Sequence, residues 1–407
     1  MSNNKKSRQA RLDAAESDKT PRRKLRQLAS DPNGEVRRRV AGNSSTPPAV
    51  LQQLADDPNK RVRFYVARNN HTPPAIIQQL ANDPNRYVRS AVTERYHLPP
   101  AIFQLLANDP DGYVREAVAE NSDTPPAVLQ LLANDPDGEV RKGVAKNSDT
   151  PSAVLQLLAN DPDGDVREAV AENSDTPPAV LQLLAKDSDG AVRKKVAENP
   201  DTPSALLQQL VSDPDEYVRF AVAGHSNTPP AALKKLARDS DQDVRWKVAE
   251  NPNTPPDVLQ RLANDSSNDV LMVVASNPNT PLNALAALDS RPEPMADDYD
   301  EYREQLNRQK VRPTAEMTFQ KRDIPPATLQ QLANDSAPRM RINVAKHPNT
   351  PPEVLQQLAS DPEAIVRQRV AENPNTPPDV LAVLALDFDP DVQEAARDAL
   401  QERKPKS

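Results

Sequence analysis

The chain has no cysteine among its 407 residues. Disulfide bridges, thiolate metal sites and cysteine nucleophiles are therefore excluded, and the absence fits a reducing, cytoplasmic setting. Glycine is scarce at 8 residues, and no Gly-rich phosphate loop, G-x-S-x-G elbow or H-E-x-x-H metal motif occurs. There are 4 histidines. His71 and His97 fall in successive loops with no third ligand beside them, so no metal site is expected there. Asp161, Asp163, Asp165 and Glu172 imitate the spacing of a calcium loop, but Val166 stands where that loop requires glycine. No apolar run is long enough to cross a bilayer, and the opening M-S-N-N-K-K-S-R lacks the apolar centre of a secretory leader. These absences lead to the expectation of a soluble intracellular protein without metal, cofactor or catalytic constellation.

Proline, by contrast, is abundant at 43 residues. Its placement is periodic. Thr124–Asp149 reads T-P-P-A-V-L-Q-L-L-A-N-D-P-D-G-E-V-R-K-G-V-A-K-N-S-D. The opening Thr-Pro returns every 26 residues from Thr20 to Thr376, with Leu98 and Ile324 in the threonine place and one 44-residue step between Thr280 and Ile324. A fixed period of this size marks a solenoid, which grows by one unit at a time and has no single core. Net charge is −8. Residues 1–70 hold 16 Lys or Arg against 7 Asp or Glu, a surplus of nine positive charges, so the remainder carries −17. A basic head on an acidic body bears on the choice of partner.

Within one unit, Thr124 reads as the N-cap of a first helix, helix A, with Pro125 at its first position. T-P-P-D at Thr254 and Thr376 and T-P-P-E at Thr350 approach a capping box. Val128, Leu129, Leu132 and Ala133 share one face. Asp135-Pro136 stops helix A, and Asp137-Gly138 turns the chain into helix B, about Glu139 to Lys146, with Val140, Val144 and Ala145 inward. Asn121, Asn147 and Asn173 sit where a left-handed C-cap belongs, with His225 and His347 in the same place. Helices of about two turns are not stable alone. The expected fold is therefore all-α, a right-handed α-solenoid of two-helix repeats that lean on their neighbours, similar to HEAT arrays.

The Arg of V-R recurs in nearly every unit, as in Arg115, Arg141 and Arg167. On a helical wheel it borders the buried face. The reading is a structural ladder in which it pairs with the recurrent Asp (Asp109, Asp135, Asp161) or with helix-end carbonyls rather than tracking phosphates. Asp265 persists although Leu271 has replaced its Arg, which argues against strict pairing. The outward positions of helix B vary. They carry Arg61, Phe64, Tyr65, Arg68, Arg86, Tyr87 and Tyr113 in early units and Tyr217, Phe220 and Trp246 in later ones. Aromatic and Arg residues are enriched in binding hot spots, which makes this set a candidate protein- or peptide-binding surface, with packing across to neighbouring repeats as the alternative. Interleaved with Arg22, Arg23, Lys24, Arg26, Arg37, Arg38, Arg39 and Lys60, the early aromatics also fit a nucleic-acid or anionic-surface pattern. Leu105, Leu131, Leu157 and Leu183 fill a slot that is Gln at 53, 79 and 209. It reads as a semi-buried flank in preference to a partner or self-association surface.

Four segments follow. Residues 1–19 form a flexible polar tail, 20–289 the main array, 290–323 an irregular insertion, and 324–407 resumed repeats with a polar capping helix. The insertion holds an acidic patch (Asp297, Asp298, Asp300, Glu301) and a candidate helix from Ala296 to Val311 with Tyr299, Tyr302 and Leu306 on one stripe. The unit as a whole, and Arg367–Asp387 almost word for word, resembles the leucine-rich repeat variant motif V-R-x-x-V-A-x-N-P-x-T-P-P-x-V-L-x-x-L-A-x-D. The resemblance implies a superhelix alternating α-helices with short helices, some of them 3₁₀. Some members of that family carry a cysteine-bound iron–sulfur cluster, which a chain without cysteine cannot hold. The family implies no general activity, and the oligomeric state stays open. The function expected from the sequence is a scaffold for a protein or peptide, with nucleic-acid binding through the basic first units as the alternative.

Overall fold

The computed structural model describes residues 2–95, 97–289, 319, 323–336 and 338–403. Every regular element among them is an α-helix. The chain divides into two compact units, Met1–Leu206 and Leu207–Ser407. Each is an α-solenoid of the 26-residue two-helix repeat.

In the repeat that starts at Thr124, helix A is Pro126–Leu132 and helix B is Gly138–Lys146. Pro126 enters helix A without cost because a first-turn N–H has no intrahelical acceptor. Val128, Leu129 and Leu132 of helix A and Val140, Val144 and Ala145 of helix B are buried. The five larger ones contribute about 2 kcal/mol each in removed apolar surface. That gain requires neighbours, since a seven-residue helix has no stability of its own. Within the first unit, Gly138–Lys146 packs on the preceding B helix, Gly112–Glu120, and on the following one, Gly164–Glu172. The B helices of the second unit stack in the same way, Gln242–Glu250 lying between Glu216–Gly224 and Asn268–Ser276.

The polar residues of the repeat act differently from the sequence expectation. Thr124 does not cap helix A. The N-cap is Pro125, in extended conformation (φ −59°, ψ 142°) and with no side-chain hydrogen bond. The Thr124 hydroxyl instead turns back and donates to the Val118 carbonyl at 2.6 Å. Pro126 keeps Pro125 out of the α region, so the N-cap falls on Pro125 and the Thr124 hydroxyl is left over the open end of the previous helix B. The capping box fails for the same reason. Helix A of the Thr254 unit shows no side-chain cap, and Asp257 pairs with Lys234 at 2.9 Å. Helix B, in contrast, is capped by side chains. The Asp137 carboxylate accepts the Glu139 N–H at 3.1 Å, and Asp135 accepts the Asp137 N–H at 2.9 Å.

Asn147 is not left-handed either. It is extended, with φ −69° and ψ 124°, and His97 is the single described non-glycine residue of positive φ. Its side-chain amide donates to the carbonyls of Ala119 and Asn121 in the previous repeat, both at 2.8 Å. Its carbonyl oxygen accepts the Asp149 N–H at 2.9 Å. Asn is thus selected for bridging repeats rather than for a backbone conformation. His225 and His347 keep the local acceptor, taking the N–H of Asn227 and Asn349 through Nδ1 at 3.0 and 3.1 Å.

The segment expected to be a flexible tail, residues 1–19, contains a helix. Ser2–Glu16 is a helix, with Leu12 and Ala15 buried against the first helix B, Gly34–Gly42. Arg11 pairs with Asp31 at 2.8 Å, and Asn43 donates to the Ala15 carbonyl at 2.9 Å. The helix stacks on Gly34–Gly42 as a further B helix would. In the second unit, Phe319 is fully buried in the core with Leu285, Ile324 and Leu329, its ring edge-on to His347 at 5.8 Å. It stands five residues before Ile324, the phase at which Ala345 precedes Thr350, so part of the expected insertion is repeat core. The acidic patch, the Ala296–Val311 helix and its tyrosine stripe lie outside the described residues. The last helix, Pro390–Glu402, runs for 13 residues. Past its end, Arg403 donates to the Asn373 carbonyl at 3.0 Å.

Candidate partner-binding surface

The arginine ladder is a brace between repeats. Arg141 donates Nε and Nη2 to the Asp161 carboxylate at 2.7 and 2.9 Å, and Nη1 to the Asp135 carbonyl at 2.8 Å. Arg115 and Arg167 make the same fork with Asp135 and Asp187 at 2.6 Å, and Arg89 does so with Asp109 at 2.5 Å. The partner is always the Asp twenty residues ahead. Asp265 is therefore held by Arg245 at 2.7 Å, and its persistence beside Leu271 is no exception. Burial works against the charge on Asp161. The Arg141 fork and the Asp163 N–H outweigh that cost and hold its pKa below the ordinary carboxylate value. Partly buried and held through Nε, Nη1 and Nη2, these arginines are committed to the joint between repeats. Asn121, Asn147 and Asn173 are likewise committed to backbone carbonyls.

Outside the ladder lies the varied outer face of helix B. In the first unit it carries a chain of cations and rings. Tyr87 and Tyr113 are 44% and 46% exposed and meet edge to face at 5.7 Å. The Arg86 guanidinium lies 4.9 Å from the Tyr87 ring and 5.7 Å from the Tyr113 ring. It also donates to the Tyr87 hydroxyl at 3.0 Å. Lys60 lies 6.0 Å from the Tyr87 ring. Beside Tyr113 a shallow groove of about 310 Å³ is lined by Ser90, Thr93, Glu94, Glu116 and Glu120. Burial, followed by repulsion from Glu120, Glu139 and Asp137, raises the Glu116 pKa. The surface thus passes from basic to acidic across the two tyrosines.

Phe64 and Tyr65 are half-buried and pack on each other at 5.5 Å. Arg38 covers Tyr65 at 4.6 Å and Arg68 covers Phe64 at 5.6 Å, while Arg68 also pairs with Glu94 at 2.7 Å. Arg61 is exposed. In the second unit Tyr217 is 63% exposed. Phe220 and Trp246 are half-buried and share Lys247, at 5.4 and 5.7 Å. The ten residues singled out from sequence therefore fall into one group of seven and another of three on the two units. Sequence reasoning missed Arg38 and Lys247 as ring partners. The signal was present: Arg38–Tyr65, Lys60–Tyr87, Arg86–Tyr113 and Phe220–Lys247 are all 27 residues apart. That interval is one repeat plus one residue, a neighbour relation between stacked B helices.

The family model described as leucine rich repeat variant matches residues 114–137, 138–163, 164–189, 190–215, 218–241 and 243–267. A second, described as leucine rich repeat variant domain, matches residues 343–400. Together they span just over half of the chain. The chain belongs to the leucine-rich repeat variant family. Among solved structures it is similar to a leucine-rich repeat variant with a novel repetitive structural motif, at 30% identity over 54% of this chain and 87% of that one, with a TM-score of 0.44. It is also similar to importin beta, at 12% identity over 99% of this chain and 55% of that one, with a TM-score of 0.25. No curated protein matches it by sequence. In this leucine-rich repeat variant chain, no helix among the described residues is long and apolar enough to cross a membrane. No three His, Asp or Glu among them converge as metal ligands.

Proposed function

We propose that this leucine-rich repeat variant protein is a non-catalytic, cytoplasmic scaffold. It holds a protein or peptide partner on the outer faces of its B helices, centred on Arg86, Tyr87 and Tyr113. The observation that carries the reading is the exposed tyrosine pair with Arg86 over both rings. Rigid aromatic and Arg side chains supply contact area at low entropic cost and dominate binding energy where they cluster. The neighbouring groove, acidic where the approach is basic, suits a peptide with charges of both signs around an apolar anchor.

The test uses peptides selected by display on the full chain. Tyr87→Ala with Tyr113→Ala should weaken their binding about tenfold or more and leave helicity unchanged. Equal affinity of the selected peptides for both proteins rejects the surface. A second reading rests on Arg22, Arg23, Lys24 and Arg26, which are exposed and make no salt bridge among the described residues, whereas Arg37, Arg38 and Arg39 are taken by Asp57, Glu35 and Glu16. Binding of a single-stranded oligonucleotide that collapses with salt, and that charge reversal at these four residues removes, would favour the anionic partner.

A further inference from the structure

Successive A helices meet through a recurrent side-chain pair. The residue before the last leucine of helix A reaches 23 residues back, to the second residue after the last leucine of the previous helix A. Gln53 donates to Ser30 at 3.0 Å, Gln79 to Asp56 at 2.7 Å and Gln357 to Asn334 at 2.9 Å. Lys235 donates to Ser212 in the same way. Leu105, Leu131, Leu157 and Leu183 hold the first of these places in four repeats. They are 40–49% exposed and not the semi-buried flank expected from sequence. In the repeat that starts at Thr254 the two places hold Arg261 and Arg238, and among the described residues this is the one such pair with two cations. Both arginines are exposed, and neither makes a salt bridge or a side-chain hydrogen bond among the described residues.

The two arginines line one shallow groove of about 710 Å³, together with Ser240, Asn264 and Ser266. Its carboxylates are already taken. Arg219 forks Asp239 at 2.7 and 3.0 Å, and Arg245 forks Asp265 at 2.7 and 3.1 Å. Arg245 gives its third nitrogen to the Asp239 carbonyl at 2.9 Å. Close by, Asp257 is paired with Lys234 at 2.9 Å. These ion pairs cancel. The groove is left with two uncompensated guanidiniums among neutral hydroxyl and amide groups, an arrangement that an anion between them would relieve.

We propose that this groove binds a phosphoryl group carried on a peptide side chain, a phosphoserine or phosphothreonine. Guanidinium groups hold oxyanions through paired N–H donors. A phosphate monoester carries about −1.5 to −2 charge near pH 7 and three acceptor oxygens, which suits two cations better than a carboxylate does. Each phosphate of a nucleic-acid backbone carries a single charge. A backbone would also need the cations to continue, and the next pair along is Ala287 with Asn264. The groove therefore reads one phosphate and does not track a strand. Being shallow, it leaves a free ion largely hydrated but admits a chain on both sides of the phosphate, with Ser240, Asn264 and Ser266 as hydrogen-bond partners for the flanking residues. The site lies in the second unit and does not depend on the tyrosine surface of the first.

Fluorescence polarisation of a labelled, end-blocked pentapeptide, a phosphoserine between two alanines on each side, titrated with the full chain, tests the proposal. The peptide should bind with a dissociation constant below about 1 mM, and its unphosphorylated form should not bind. Arg238→Asn with Arg261→Gln installs the pair that Asn334 and Gln357 form in a later repeat, so folding is preserved. It should weaken binding about tenfold or more. Lys186→Asn removes the exposed cation at the place equivalent to Arg238 two repeats earlier, whose counterpart 23 residues on in the sequence is the neutral Gln209. It should leave the affinity unchanged, which separates the arginine pair from a general charge effect. No binding at about 1 mM, equal binding of the unphosphorylated peptide, or wild-type affinity in the double variant overturns the proposal. Competition distinguishes the source of the phosphate. Displacement by inorganic phosphate at or below the peptide's own concentration would assign the groove to a free anion. Displacement by a single-stranded oligonucleotide at equal phosphate concentration would assign it to nucleic acid, and either result overturns the peptide assignment.

Discussion

Replacing Arg141 by Ala removes three donors from one junction between repeats. The side chains of Arg141 and Asp161 are 14% and 5% exposed. Asp161 would keep its charge in a site where the remaining direct donor is the Asp163 N–H at 2.9 Å. Breaking a buried, forked pair by removing one partner costs about 3 kcal/mol or more, because the other charge stays desolvated. The comparable figure for an exposed pair is below about 1 kcal/mol. Urea unfolding followed by circular dichroism gives the global loss. Hydrogen exchange gives its location, since in a linear array the damage should concentrate in repeats that share the junction. Protection should fall around residues 135–167 and stay unchanged in distant repeats. Arg141→Lys keeps the charge but not the fork and should lose about half as much. A loss under about 0.5 kcal/mol for Arg141→Ala, the scale of a surface substitution, would refute the brace.

The same carboxylates set the acid limit. Asp161, Asp187, Asp239 and Asp265 all have pKa values lowered in the folded chain, burial being outweighed by hydrogen bonds from Arg and backbone N–H groups. Their contribution is complete above the unfolded carboxylate pKa of about 4 and disappears as pH falls through the depressed folded values. The urea midpoint should therefore be flat above about pH 5 and drop below about pH 4; a midpoint that rises on acidification contradicts this. Asn147→Ala leaves the Ala119 and Asn121 carbonyls without their shared donor and should cost about 2–3 kcal/mol by chemical denaturation. Asn147→His, which keeps the local acceptor, should cost less, and equal losses would mean that the acceptor contributes nothing. Phe388 is fully exposed, at 103%, so Phe388→Pro should change stability by less than about 0.5 kcal/mol while lowering the binding of an apolar dye.

The sequence made the fold class, the repeat boundaries and the buried positions legible, because apolar periodicity and Pro-Pro starts are local signals. Residue types that do several jobs misled. Thr before Pro-Pro has the composition of an N-cap, yet the second Pro moves the helix start one residue on and the hydroxyl serves the helix behind it. Asn at a helix end suggests a left-handed residue, but its amide is used 26 and 28 residues back. A non-local partner leaves no local trace. Ser2–Glu16 looked like a tail because its apolar residues are few, though Leu12 and Ala15 suffice when a neighbour supplies the rest of the core. The candidate surface was legible as residue types. Its pairing was not, because the 27-residue relation between cation and ring appears only when consecutive repeats are superposed.

Arg reaches 20 residues forward and Asn reaches 26–28 residues back. Most repeats are thus connectors with a plug on one face and a socket on the other, and where the Arg, Asp and Asn are kept the joints are alike. The Arg and Asn of this joint are not among the outward residues, which add their own contacts between stacked B helices in some repeats. A repeat can be copied, deleted or moved as a cassette without redesigning its neighbours, and its exterior can be rewritten without loosening the coupling. The number of repeats, and with it the reach of any surface borne on them, is a quantity that gene duplication can change in whole steps.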